Sequence, residues 1–195
     1  MEILVFAETD DKGNLKKDAY EIASYASEIS SENGGSVNAL CFNASNAESL
    51  SDYGVNKIIN SKNEELKNFD PSNYSKCITE VFNNEKCNLL VLSSSSNSKH
   101  IGGILSVLTD ASYVTNVISK LTNGEKMTVV RNTFTNKAFE TVEIIKNKTI
   151  LAISKNSFGL KENPVNSEVV EINFNISESR NKVKSIDRAT NKVTI

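Results

Sequence analysis

One polar segment holds most of the side chains in this sequence that could carry chemistry. Four consecutive serines begin at Ser93, directly after the apolar run Asn88–Leu92, and Gly102 and Gly103 follow shortly afterwards. Hydroxyls, a lysine and glycines beside the exposed amides of a helix N-terminus can hold a phosphate. The segment from Ser93 to Gly103, which includes Ser95, is therefore the candidate anion site. The alternative interpretation is a solvated loop with a helix cap.

The single histidine, His100, lies beside these serines. A Ser–His pair could supply a nucleophile and its base, but hydrolase triads need a third, orienting group. The sequence marks no residue for that third role. We therefore expect His100 to be an exposed residue in the first turn of a helix.

Glu8 is the other candidate, because it follows the apolar run Ile3–Ala7 that predicts a buried parallel strand. In an open α/β sheet, ligands bind where the carboxyl ends of neighbouring strands meet at a reversal of strand order. The ends of the first and fourth predicted strands would flank that crevice. Glu8 could contact a partner there or brace a loop amide, and a solvated charge at a strand end is the alternative.

Composition excludes several classes of function. The 195 residues carry 22 Lys and Arg against 24 Asp and Glu, a net charge of −2 that argues against a dedicated nucleic-acid binder. No apolar run is long enough to span a membrane, and we identify no signal peptide. One His rules out a His-rich metal site, and GxGxxG, P-loop and GxSxG motifs are absent. Three cysteines within apolar patterns predict buried thiols in a reducing compartment.

The first half of the chain alternates strand and helix patterns. A helical stripe from Leu15 to Ile29 follows the first strand, and Asp70-Pro71 predicts the start of another helix through capping and a preset backbone angle. A further helix follows the polar segment, with Gly102 and Gly103 in its first turn. The remaining predictions are strands at Val37–Phe42, Val55–Ile59 and Asn88–Leu92 and a helix at Ala44–Tyr53.

The second half is rich in strand patterns and predicts a partly antiparallel arrangement, with turns at Asn123-Gly124 and Asn147-Lys148. The predicted strands are Val114–Leu121, Met127–Arg131, Lys137–Ile145, Thr149–Ile153 and Glu168–Phe174. The fold class is therefore α/β, an open and mostly parallel Rossmann-like sheet with an additional β-rich portion. Residues 177–195 have almost no core-forming pattern and predict an extended linker. Its basic stretch from Arg180 to Lys192 could bind an acidic surface, and a solvated linker is the alternative.

Several segments, in order and at the right spacing, resemble the N-terminal domain of the electron transfer flavoprotein α subunit. They are the opening Ile3-Leu4-Val5-Phe6-Ala7-Glu8 with Gly13-Asn14-Leu15-Lys16, the segment Tyr53-Gly54-Val55-Asn56-Lys57-Ile58, the stretch Leu105 to Val117, and Val130-Arg131 followed by Asn136-Lys137-Ala138 and Thr141-Val142. Together they cover nearly the whole chain.

The chain departs from the family pattern in three places. Gly103-Ile104 stands where the family has Pro-Arg, and Ser154 stands where many members carry another Arg, so Arg131 is the retained member of that basic set. Asn136 replaces a hairpin glycine, which is tolerable because Asn also adopts left-handed conformations.

The resemblance implies a fold of the adenine-nucleotide-hydrolase-like (HUP) type over residues 1–176 and a linker at 177–195 toward a missing FAD-binding domain. It implies a heterodimer with the β subunit, which holds AMP or a second FAD, while FAD is held mainly by the α subunit's C-terminal domain. This chain would then hold no cofactor, catalytic residue or metal. Within a complete complex it would serve acyl-CoA or other dehydrogenases and a quinone oxidoreductase, in the bacterial cytoplasm.

The resemblance also implies that partner contacts come from this domain. The second-half strands supply apolar side chains for such a surface: Phe134, Ala138, Val142 and Ile144. A free-standing ATP- or AMP-binding module, or an adenylyl-type enzyme of the same fold, is the alternative function. That alternative needs a phosphate site, which only Ser93 to Gly103 could provide.

Overall fold

A ten-stranded sheet with three α-helices packed on it makes up the fold, in a computed structural model that describes residues 1–179 and 183–185. The strands are β1 (Ile3–Phe6), β2 (Val37–Phe42), β3 (Lys57–Ser61), β4 (Leu89–Ser93), β5 (Ser112–Val117), β6 (Thr122–Asn123), β7 (Met127–Thr133), β8 (Ala138–Ile144), β9 (Thr149–Ile153) and β10 (Glu168–Glu171). The helices are α1 (Lys17–Asn33), α2 (Pro71–Asn84) and α3 (Ser96–Thr109), with short 3-10 helices at Ala47–Asp52 and Glu64–Leu66.

The sheet has a parallel part and an antiparallel extension. The parallel part runs in the order β10, β3, β2, β1, β4, β9 and β5. Strand β7 then pairs antiparallel with β5, and β6 and β8 pair antiparallel with β7. This arrangement confirms the predicted α/β class, with its open, mostly parallel, Rossmann-like sheet and a partly antiparallel second half.

Two hydrophobic clusters, one on each face of the sheet, hold the helices in place. The stripe of α1 that includes Ile22 and Ile29 is buried with alternate residues of β1 and β2. Ile78 of α2 and Leu105 of α3 belong to the opposite cluster. Because β1 is flanked by β2 and β4, strand order reverses at β1 and the crevice lies where predicted, at the carboxyl ends of β1 and β4.

Local chemistry explains where α2 begins. Asp70 accepts a hydrogen bond from the backbone N–H of Asn73 at 2.9 Å, and Pro71 is the first helical residue. Both features were predicted from the Asp-Pro pair, and both are confirmed.

The region before β3 differs from prediction. The segment predicted as a helix at Ala44–Tyr53 forms only the short 3-10 helix. Before it, the side-chain oxygens of Asn43 and Asn46 accept the backbone N–H groups of Asn63 and Leu15, and Asn43 Nδ2 donates to the carbonyl of Asn63. The predicted strand at Val55–Ile59 instead begins at Lys57. Asn56, just before it, bonds the backbone N–H of Val37 through its side chain.

The second half also differs in detail. The predicted strand Val114–Leu121 ends at Val117, because Asn116 has a φ of 54° and the register shifts beside it, as in a β-bulge. The predicted strand Glu168–Phe174 ends at Glu171. Phe174 is nevertheless buried, with its ring perpendicular to that of Phe42 at 6.0 Å.

Candidate functional site

Glu8 lies at the mouth of the crevice and is buried, with 7% of the residue exposed. Its Oε1 accepts hydrogen bonds from the hydroxyls of Ser95 and Ser98, the latter at 3.0 Å. Its Oε2 accepts from Lys16 Nζ at 2.7 Å and from Asn97 Nδ2 at 3.4 Å. Glu8 therefore joins the end of β1 to the first turn of α3 and is not a solvated charge.

This carboxylate stands where a bound anion would meet the start of α3. Ser95 is the N-cap of that helix, since its hydroxyl accepts a hydrogen bond from the backbone N–H of Ser98 at 3.0 Å. The same hydroxyl donates a hydrogen bond to Glu8. A helix N-terminus favours negative charge, and here the chain supplies that charge itself. A phosphate placed beside Glu8 would meet electrostatic repulsion in a poorly solvated position.

Aromatic side chains fill the rest of the crevice. The rings of Phe6 and Phe42 lie 5.3 Å apart, and Tyr74 of α2 packs edge-on against Phe42 at 4.8 Å. The cavity that these rings line with Glu8, Thr9 and Asn97 has a volume of about 20 Å³. That is room for about one water molecule, whereas small-molecule sites usually occupy roughly 300 Å³ or more.

The two glycines of the candidate anion site, the segment from Ser93 to Gly103, do not lie in the first turn of the helix as predicted. Helix α3 already begins at Ser96, so Gly102 and Gly103 lie in its second turn, away from the free N-terminal amides. Gly102 packs against the ring of Tyr113, and a Cβ at that position would lie 2.1 Å from a ring carbon. Gly103 faces open space. Neither glycine is placed to contact a phosphate at the start of the helix.

His100 is exposed, as expected, but it lies in the second turn of α3 and not in the first. Its ring is 6.5 Å from the ring of Phe69. Ser95 and Ser98 direct their hydroxyls to Glu8, and Ser94 donates to the carbonyl of Ala152 at 3.2 Å. The geometry gives no support to a Ser–His pair.

Arg131 is engaged within the antiparallel extension. Its Nε donates to Glu140 Oε2 at 2.7 Å, directly across the β7–β8 ladder, and its Nη1 reaches Thr115 at 3.4 Å. Glu8 and Ser95 come together at the crevice, whereas Arg131 lies on β7, two strands beyond β9 in the sheet order. The structure does not unite the candidate residues into one site.

The β7–β8 hairpin carries two largely exposed aromatic side chains. Phe134 at its turn and Phe139 on β8 are 75% and 73% exposed. Asn136 has a φ of 60°, which confirms the left-handed conformation expected for it, and Phe134 shares that conformation at 49°. Ile144 is buried in the core, so it cannot belong to the predicted partner surface.

The start of the predicted linker is attached to the domain. The carbonyl of Ser177 accepts a hydrogen bond from Asn73 Nδ2 at 3.0 Å, and the hydroxyl of Ser179 donates to Asp70. These bonds hold the chain against the N-terminus of α2. Apart from residues 183–185, the basic stretch Arg180–Lys192 lies outside the described residues.

Glu21 on α1 is a buried acidic residue that the sequence reasoning missed. Its carboxylate accepts the backbone N–H groups of Asn156 and Phe158 at 2.9 Å each and that of Gly159 at 3.2 Å. It fixes the segment that crosses α1 between β9 and β10. A glutamate between Ala19 and Ile22 in the apolar stripe was the available signal.

The cysteines are buried, as predicted. Burial raises the pKa of each thiol, Cys41, Cys77 and Cys87, to about 12, so all three stay protonated near neutral pH. Within the described residues, no group of His, Cys, Asp and Glu side chains could hold a metal ion, and no helix there could cross a membrane.

The fold and the crevice define a Rossmann-like domain whose binding crevice is filled by its own side chains. The family model for the electron transfer flavoprotein domain matches residues 3–177, and the chain belongs to that family, a family of electron carriers. No curated protein matches the chain.

Proposed function

We propose that this chain is the N-terminal scaffold and heterodimerisation domain of an electron transfer flavoprotein α subunit. The observation that carries the proposal is the filled crevice, where Glu8 takes the position of an anion and the remaining cavity measures about 20 Å³. A domain closed in this way serves its complex through its surface and not through a bound cofactor.

The domain ends at residue 176 in this proposal, and residues 177–195 lead toward an FAD-binding domain. The bonds of Ser177 and Ser179 to the start of α2 support an ordered exit point for the chain at this place. FAD then belongs mainly to that following domain, and AMP or a second FAD belongs to the β subunit.

The partner in this proposal is the β subunit, and the exposed side chain of Phe134 supports a docking role for the turn between β7 and β8. The complete complex would carry electrons from acyl-CoA or other dehydrogenases toward a quinone oxidoreductase in the bacterial cytoplasm. No residue of this chain is assigned to catalysis.

Three measurements test the proposal. The purified chain should show no flavin absorbance, titration calorimetry with AMP and with ATP should give no heat of binding, and the chain should co-purify with a co-expressed β subunit. Stoichiometric FAD on the chain alone would overturn the scaffold role. Micromolar AMP or ATP binding, lost on a Ser95→Glu change, would instead establish the nucleotide-binding alternative.

A further inference from the structure

Among the described residues, nothing pairs with one side of the backbone of strand β8. It pairs along its whole length with β7, and in the described part of the chain no strand pairs with its other side. An open edge presents alternating N–H and C=O groups that another strand can pair with. The opposite edge, β10, has only four residues and carries glutamates at both ends. Strand β8 has seven residues and contains no proline.

The charges that would normally protect such an edge are neutralised. Glu140 forms an ion pair with Arg131 at 2.7 Å, and Glu143 forms one with Lys126 at 2.8 Å. Arg131 lies on β7, and Lys126 directly precedes that strand. An edge strand is usually kept from pairing by uncompensated charge, proline or a bulge. β8 retains none of these protections.

Two large apolar side chains remain exposed along this strand. Phe139 is 73% exposed, and Ile145, which directly follows β8, is 85% exposed. They are six residues apart, so the two-residue alternation of a strand places them on the same face with Thr141 and Glu143 between them.

We propose that β8 pairs antiparallel with β8 of a second copy of this chain, about a twofold axis at Thr141. In this register Thr141 faces its own equivalent, Phe139 faces Glu143 of the second copy, and Glu140 faces Val142 of the second copy. No carboxylate lies opposite another carboxylate. Phe139 is also the diagonal neighbour of Ile145 of the second copy, at a distance that an aromatic ring can span. The twofold axis repeats this apolar contact, so it forms twice in the dimer.

The pairing goes beyond the proposed function, since it needs no β subunit. A single pair of edge strands buries less than the roughly 800 Å² per partner of a standard interface. The dimer is therefore weak and forms at high protein concentration. Its test uses the chain alone, so its result is separate from whether a β subunit binds.

Cysteine cross-linking tests the register. In a Thr141→Cys variant the two new thiols face each other across the axis, where Cβ atoms of opposed strand residues lie about 4.5–5.5 Å apart, and mild oxidation should produce a covalent dimer. Glu143→Cys is the matched control, since its equivalents are far apart in this register and should not cross-link. The native thiols are buried and give little background. Absence of the Thr141→Cys dimer, or equal cross-linking of both variants, overturns the proposal.

Sedimentation equilibrium tests the dimer without a cross-link. A Thr141→Glu change places two carboxylates directly opposite each other and should weaken self-association about two- to fivefold. Val169→Glu adds the same charge at the opposite edge, on β10, and should leave self-association unchanged. A chain that stays monomeric at the highest soluble concentration, or a dimer that Thr141→Glu does not weaken, overturns the proposal.

Discussion

The parallel part of the sheet and its antiparallel extension satisfy their polar groups in different ways. Around the crevice, a buried carboxylate has four side-chain donors and aromatic rings leave almost no free volume. In the extension, the seven-residue strand β8 has an edge with which no other described strand pairs, and Phe134 and Phe139 are largely exposed. In one sheet, therefore, the crevice typical of the fold is filled by the chain's own side chains, while a surface elsewhere remains exposed for contacts.

Of the changes that test this contrast, Glu8→Ala should have the largest effect on stability. It removes the acceptor of Ser95, Ser98 and Lys16 in a buried position, so we expect the free energy of unfolding to fall by about 3 kcal/mol. Urea denaturation of the chain measures the change. Glu65→Ala, at an exposed glutamate, is the control and should cost less than about 0.5 kcal/mol. Equal losses of unfolding free energy in the two variants would show that Glu8 does not stabilise a closed crevice.

A smaller loss of stability is expected from Asp70→Ala, at the N-cap of α2. Losing this N-cap should cost about 1 kcal/mol of the free energy of unfolding. The hydroxyl of Ser179 and the backbone N–H of Asn73 lower the pKa of Asp70 below its usual value. The stabilisation by Asp70 is therefore complete above the unfolded pKa and disappears as the pH falls through the folded pKa.

The measurement is denaturation of the parent chain and the Asp70→Ala variant at neutral pH and at acidic pH. The stability difference between them should shrink on acidification. A difference that grows as the pH falls would contradict the assigned ionised cap.

The smallest effect on stability is expected in the extension, from Phe134→Asn. The side chain is 75% exposed and its φ is 49°, a conformation that Asn adopts more readily than Phe. The free energy of unfolding should change by less than about 0.5 kcal/mol, while capture of a co-expressed β subunit should decrease. If the free energy of unfolding falls by more than about 1 kcal/mol, Phe134 stabilises the chain itself, and the extension does not differ from the crevice in this respect.

Much of the fold could be predicted because its signals are local. The bounds of β2 and β9 match the apolar runs Val37–Phe42 and Thr149–Ile153, and α2 begins at the Asp-Pro pair as predicted. The start of α3 was missed, because the run of serines looked like a loop although Ser95 caps the helix. The early end of β5 was missed because a left-handed Asn116 leaves no mark in an apolar pattern.

The candidate site was predictable only in position. The sequence by itself determined the alternation of buried strands and helices, the buried thiols and the placement of Glu8 at the end of a strand, because burial periodicity and capping act over a few residues. Tertiary structure alone decided that Glu8 would bind Ser95 and Ser98, 87 and 90 residues away, and that Glu21 would hold the segment crossing α1. Such partners depend on which strands become neighbours, and that choice is made by packing over the whole sheet.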